Sequence, residues 1–172
     1  MAIKHTTMKA LFYATVMSFM TSLAVAQTVR IVDKNFNAPT GANVYGTLQE
    51  AADAAVSGDI IQVQPSATAY GNVTINKQVT LMGIGFNLTK EIPYQSTIGN
   101  VTLTSNVGST ENASGTVITG LTISTLTLGT IPGPAYTLAN VSIYNNVITT
   151  LNSPSTAATI DAIDIYANDI TS

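Results

Sequence analysis

From residue 97 onward the chain alternates apolar and polar positions in short runs that resemble one another. TIGNVTL (97–103), VITGLTI (117–123), TLANVSI (137–143) and TIDAIDI (159–165) align at spacings of 20, 20 and 22 residues. In each run two apolar residues flank a polar one: Val101/Leu103, Leu121/Ile123, Val141/Ile143 and Ile163/Ile165. Side chains alternate across a strand, so these pairs are predicted to face inward, with Thr102, Thr122, Ser142 and Asp164 facing outward. Val79-Thr80-Leu81 fits one period earlier. Self-similarity at this period in strand-rich sequence predicts an all-β solenoid, a β-helix, and the Leu-rich consensus of a leucine-rich repeat is missing.

One stretch has a different period. In TLQEAADAAVSGDIIQV (47–63), Leu48, Ala51, Ala52, Ala55 and Val56 recur on one helical face. Thr47 and Glu50 have capping-box spacing, and Gly58 is expected to close the helix as its C′ residue. The predicted helix, 47–57, has a face too rich in Ala to form a core alone. It is expected to cover the exposed end of the strand stack.

A second register follows the strands. Asn106, Leu126, Asn146 and Asn168 stand three residues after the last apolar position of each run. Successive Asn side chains at one corner predict an amide ladder, with Leu126 interrupting it; ordinary turn asparagines are the alternative.

AADAAVSGDIIQVQPSATAYGNVTINKQVTLMGIG (51–85) resembles the opening of right-handed parallel β-helix proteins, the pectate-lyase-like superfamily. The resemblance rests on the capping helix, Gly58-Asp59 leading into the first strand, a turn from Pro65 to Tyr70, and the corner Gly83-Ile84-Gly85. That turn is longer here than the family's compact Pro-Gly-x-Tyr. The resemblance covers roughly residues 45 to 172 and implies a single-stranded right-handed parallel β-helix with an N-terminal helical cap. It is specific for fold and unspecific for activity.

Charge and composition then narrow the function. Only 9% of residues are charged, the net charge is −3, and Arg30 is the only arginine, so the basic footprint of a nucleic-acid binder is absent. Lys4, His5 and Lys9, the apolar run 10–23 and Ala24-Val25-Ala26 have the three parts of a secretory leader, with a membrane anchor as the alternative. The expected organisation is a leader at 1–26, a lead-in with capping helix at 27–58, and coils at 59–172 that read as the front of a longer protein. After cleavage no transmembrane segment is expected, and the location is secreted or cell-surface. Four basic and nine acidic residues would remain, and no cysteine is present to form disulfides. A bare final coil predicts self-association of the fragment.

Candidate chemistry is sparse. In the resembled family, lyases hold calcium with acidic residues on one face and use a Lys or Arg as base. The acidic candidates for Ca2+ are Asp161, Asp164 and Asp169, set against solvated strand and turn aspartates as the plainer reading. No Lys or Arg follows Lys90, so no catalytic constellation carries over. Glu91 and Glu111 lie in loops with no fixed distance to an aspartate, as a glycosidase pair would need. Tyr144 and Tyr166 align at 22 residues and are expected to stack on an outer face, as a strand-stabilising ladder or as a platform for sugar rings beside Asp164. Thr102/Thr104 and Thr122/Ser124 form a small array of the ice-binding kind, which β-propensity also explains. Five N-x-S/T sequons begin at Asn72, Asn87, Asn100, Asn112 and Asn140, as expected by chance in such a composition. The leading expectation is a non-catalytic exported β-helix that acts as a binding or adhesive scaffold toward glycans. The alternative is the front part of a polysaccharide lyase or glycoside hydrolase with catalytic coils beyond Ser172.

Overall fold

A computed structural model describes residues 26–35, 41–85, 94–105, 111–129, 136–153 and 158–171. The expected leader as far as Val25, and also Glu91 and Asn106, fall outside these residues. The elements are β1 (Val29–Val32), β2 (Val44–Tyr45), α1 (Leu48–Ala54), β3 (Ile60–Val63), β4 (Val73–Ile75), β5 (Thr80–Met82) and β6 (Thr97–Leu103). They continue with β7 (Val117–Thr119), β8 (Thr122–Leu128), β9 (Tyr136–Tyr144), β10 (Val147–Asn152), β11 (Ala158–Tyr166) and β12 (Asp169–Ile170). Val, Ile and Thr dominate these strands because branched side chains fit a pleated, half-buried surface.

The strands form two parallel sheets, β11-β9-β7-β5-β3-β1-β2 and β12-β10-β8-β6-β4. From β3 onward consecutive strands alternate between the sheets, and each pairs in parallel with the strand two places along. Inward side chains of both sheets meet in one buried cluster that includes Ile61, Leu81, Ile118 and Ile143 from the first and Ile75, Ile98, Leu126 and Ile148 from the second. Among the described residues no helix is long and apolar enough to cross a membrane.

Most of the predicted inward residues are inward, but the predicted register is not the one formed. Val101, Leu103, Leu121, Ile123, Val141 and Ile143 are buried, whereas Ile165 on the outermost strand β11 is 39% exposed. TIGNVTL belongs to the five-stranded sheet and TLANVSI to the seven-stranded one, while VITGLTI passes from β7 into β8. Thr97 stands opposite Thr122, not Val117, and Ile118 opposite Ile143. The spacing of 22 residues between TLANVSI and TIDAIDI does match a pairing, Thr137 with Thr159. Alternation depends only on chain neighbours and was readable; register depends on the loops between strands, whose lengths vary. Thr80 accordingly pairs with Val117, across the longest of these connections.

Left-handed residues turn the chain at matching places. Asn140 (φ 56) and Ala162 (φ 49) bend β9 and β11, so that Leu138 and Val141 both face inward with two residues between them. Asn145 (φ 56) and Ala167 (φ 54) form the corner between sheets, beside Gly120 (φ 71) and Gly85 (φ 98). Amides join these positions in series: Gly85 N–H to Gly120 O, Gly120 N–H to Asn145 O, and Asn145 N–H to Ala167 O. A Cβ on Gly83 would lie 2.2 Å from the Gly120 carbonyl oxygen, so the Gly83-Ile84-Gly85 corner needs glycine for close backbone approach.

Helix α1 is shorter than predicted. The Thr47 hydroxyl accepts from the Glu50 amide (3.3 Å), as a capping residue should. The helix ends at Ala54, with Ala55 already extended (ψ 149), and Gly58 (φ 96) lies in the turn beyond instead of at C′. Lys77 reaches the freed C-terminal carbonyls, donating to Ala55 O (2.9 Å) and Asp53 O (3.3 Å), which favours an early end. Leu48, Ala51, Ala52 and Ala55 are buried, and Val56, beyond the last turn, is 49% exposed. The helix packs on β1, β2, β3 and β4. It also covers a strand edge: Gln49 accepts from the Thr74 amide (2.9 Å) and donates to the Thr74 carbonyl (3.4 Å). A side-chain amide thus takes the place of a neighbouring strand along β4. Within the expected lead-in, β1 pairs with β3 over four residues.

Candidate functional site: the tyrosine face of β9 and β11

The eight paired positions of β9 and β11 make the longest strand pairing among the described residues. Ile163 lies opposite Val141 and Ile165 opposite Ile143, which leaves Ser142, Asp164, Tyr144 and Tyr166 on the outer surface. Tyr144 and Tyr166 pair directly. Their rings stack with centroids 5.0 Å apart and planes 8° from parallel, the geometry expected from the 22-residue alignment. Each ring covers one face of the other. Tyr166, on the outermost strand, remains 54% exposed, while Tyr144 is half-buried with Thr119 as its neighbour on β7. Asp164 stands two residues before Tyr166, hence on the same side of the strand at about 7 Å. It is exposed, opposite Ser142.

The three aspartates considered for calcium are not gathered. Asp161 and Asp164 are exposed on β11, and Asp169 is exposed on β12 of the other sheet, opposite Val147. Among the described residues there is no group of three or more His, Cys, Asp or Glu that could hold a metal ion. Glu111 accepts a long hydrogen bond from Ser57 Oγ (3.5 Å).

The predicted Asn register is partly formed. Asn146 is buried: its Oδ1 accepts from Leu121 N–H (3.1 Å), and its Nδ2 donates toward Ile118 O, Tyr144 O and Asn168 Oδ1 at 2.9–3.0 Å. Asn168 repeats the pattern 22 residues on, accepting from Asn146 N–H (3.0 Å) and donating to Ile143 O (2.7 Å). Leu126 is not the interruption in this ladder. It is buried in β8 between Val101 and Leu151, and Leu121 occupies the ladder position instead. The threonine array likewise changes partners. Thr104 is buried and Thr102 stands between Thr74 and Thr127, so the columns are Thr74–Thr102–Thr127 and Thr97–Thr122.

Sequence reasoning missed the buried ion pair. Asp59, with no exposed surface, accepts from Arg30 Nε (2.8 Å), Thr28 N–H (3.0 Å) and Val56 N–H (3.0 Å). Arg30 also donates to the Tyr45 hydroxyl (2.8 Å). Burial alone would raise the Asp59 pKa, but the bonds from Val56, Thr28 and Arg30, with the guanidinium charge, outweigh it and hold the carboxyl below its ordinary range. Every strong partner of Asp59 is structural, so this carboxylate fastens the fold. Tyr70 is also spent structurally: its hydroxyl donates to Val32 O (3.3 Å) and accepts from Lys34 N–H (3.2 Å), and burial raises its pKa. Compared with known proteins, the chain matches no family model, no curated protein and no solved structure.

Proposed function

We propose that this chain is an exported parallel β-helix, of the pectate-lyase-like kind its cap and first coils resemble, serving as a non-catalytic scaffold that binds glycans. Alternation of strands between two parallel sheets around one core supports the β-helix reading, as do the left-handed corner column and the Asn146–Asn168 ladder. The observation that carries the binding reading is the stacked pair Tyr144–Tyr166 on an outer strand face, with Tyr166 54% exposed on the same side of β11 as the exposed Asp164. Sugar rings bury their C–H faces on aromatic planes and bond their hydroxyls to neighbouring carboxylates and hydroxyls. Such an arrangement holds a sugar ring at the exposed Tyr166 end without needing a pocket.

A glycan-binding screen of the folded protein tests this. Tyr166→Ala is expected to weaken binding of any retained glycan about tenfold, and Tyr144→Ala less, through loss of ring support. Circular dichroism confirms that the variants fold. Binding unchanged in the double variant would rule out the tyrosine face as the site.

A further inference from the structure

Resting on the glycan-binding reading, we infer that the Tyr166 end of this face selects sugars with free amino groups, a hexosamine polymer, over neutral or uronic-acid glycans. Two independent features there attract positive charge. The open face of an aromatic ring is the negative end of its quadrupole and draws a cation placed over it. Asp164 adds a full negative charge on the same side of β11, about 7 Å along the strand. Around them the paired residues of β9 (Ala139, Ser142 and Tyr144) are uncharged, and the only other ionisable side chain on β11 besides Tyr166 is Asp161, also exposed and acidic.

The same surface disfavours acidic sugars. No Lys or Arg occurs after Lys90, so a uronate carboxylate laid along β9 and β11 would meet Asp164 and Asp161 with no cation in these strands to pair it. A neutral sugar keeps ring stacking and hydroxyl bonds but gains nothing from the charge. A glucosamine unit keeps the stacking and adds an ammonium that reaches both ring and carboxylate. The ionic part lies at an exposed surface, so added salt should screen it while leaving the stacking.

The test compares glucosamine oligomers, their N-acetylated counterparts and galacturonate oligomers by calorimetry in mildly acidic, low-salt buffer. Glucosamine oligomers are expected to bind about tenfold tighter than the acetylated ones, and galacturonate weakest. About 0.5 M salt, or Asp164→Asn, should narrow the first gap to about twofold, because both remove the ionic part. Tyr166→Ala should weaken the amino and acetylated sugars together. Acetylated or uronate oligomers binding as tightly as glucosamine, still sensitive to Tyr166→Ala, would overturn the amine preference and leave the scaffold reading standing. Absence of binding to all three would remove both.

Discussion

Asn146 ties three stretches of chain together through one amide. Its Oδ1 holds the Leu121 N–H and its Nδ2 serves the Ile118 and Tyr144 carbonyls, all in a buried setting. Asn146→Ala would leave the Leu121 N–H and the Ile118 carbonyl without this partner, at a cost of about 2–3 kcal/mol. The expected result is a thermal midpoint lower by about 6 °C, with a smaller fall for Asn168→Ala, whose side chain is only partly buried. Differential scanning calorimetry on both variants checks the order. This pair was legible in the repeated IYNNVI and IYANDI segments because the bonded residues are 22 apart, the spacing at which the sequences align. Leu126 was misplaced because the preceding bonded position is 25 residues away, as the Leu121–Asn146 bond records.

Elements at the N-terminal end depend on a single carboxylate. Asp59 holds β1 through Thr28 and Arg30, and the chain leaving α1 through Val56, while itself leading into β3. Its folded pKa lies below the ordinary value of 3.8, so its stabilisation is complete above that value and is lost as pH falls through the lowered one. Urea midpoints are therefore expected to be flat near neutrality and to drop below about pH 4. Asp59→Asn should cost about 3 kcal/mol at neutral pH, by leaving the Arg30 charge without its partner, and should flatten the acid limb. An acid limb as steep in the variant as in the parent would assign the loss to other carboxylates. Neither Gly58-Asp59 nor the lone Arg30 announced this contact, since 29 residues separate the partners and only the β1–β3 pairing joins them.

Across the whole molecule the two ends of the sheets differ. At one end α1 covers the first strands, and Gln49 occupies the hydrogen-bonding groups of Thr74. At the other, β11 and β12 are the outermost strands, with Ile165 39%, Ile170 41% and Tyr166 54% exposed. Unpaired strand edges beside apolar side chains are templates for further pairing. This chain is therefore expected to associate in a concentration-dependent way in sedimentation velocity, and Ile165→Lys should shift it toward monomer. A parent chain that stays monomeric at high concentration would contradict the prediction.

The sequence by itself determined most of the residues that face the core, where the capped helix begins, and that Tyr144 would stack on Tyr166. These are properties of chain neighbours, or of one strand pairing whose spacing equals the sequence repeat. Only the tertiary structure decided which runs share a sheet, where α1 stops, and how Asp59 meets Arg30. Those outcomes depend on connection lengths and on distant partners such as Lys77 and Thr28, whose contributions appear only when the strands are assembled into sheets.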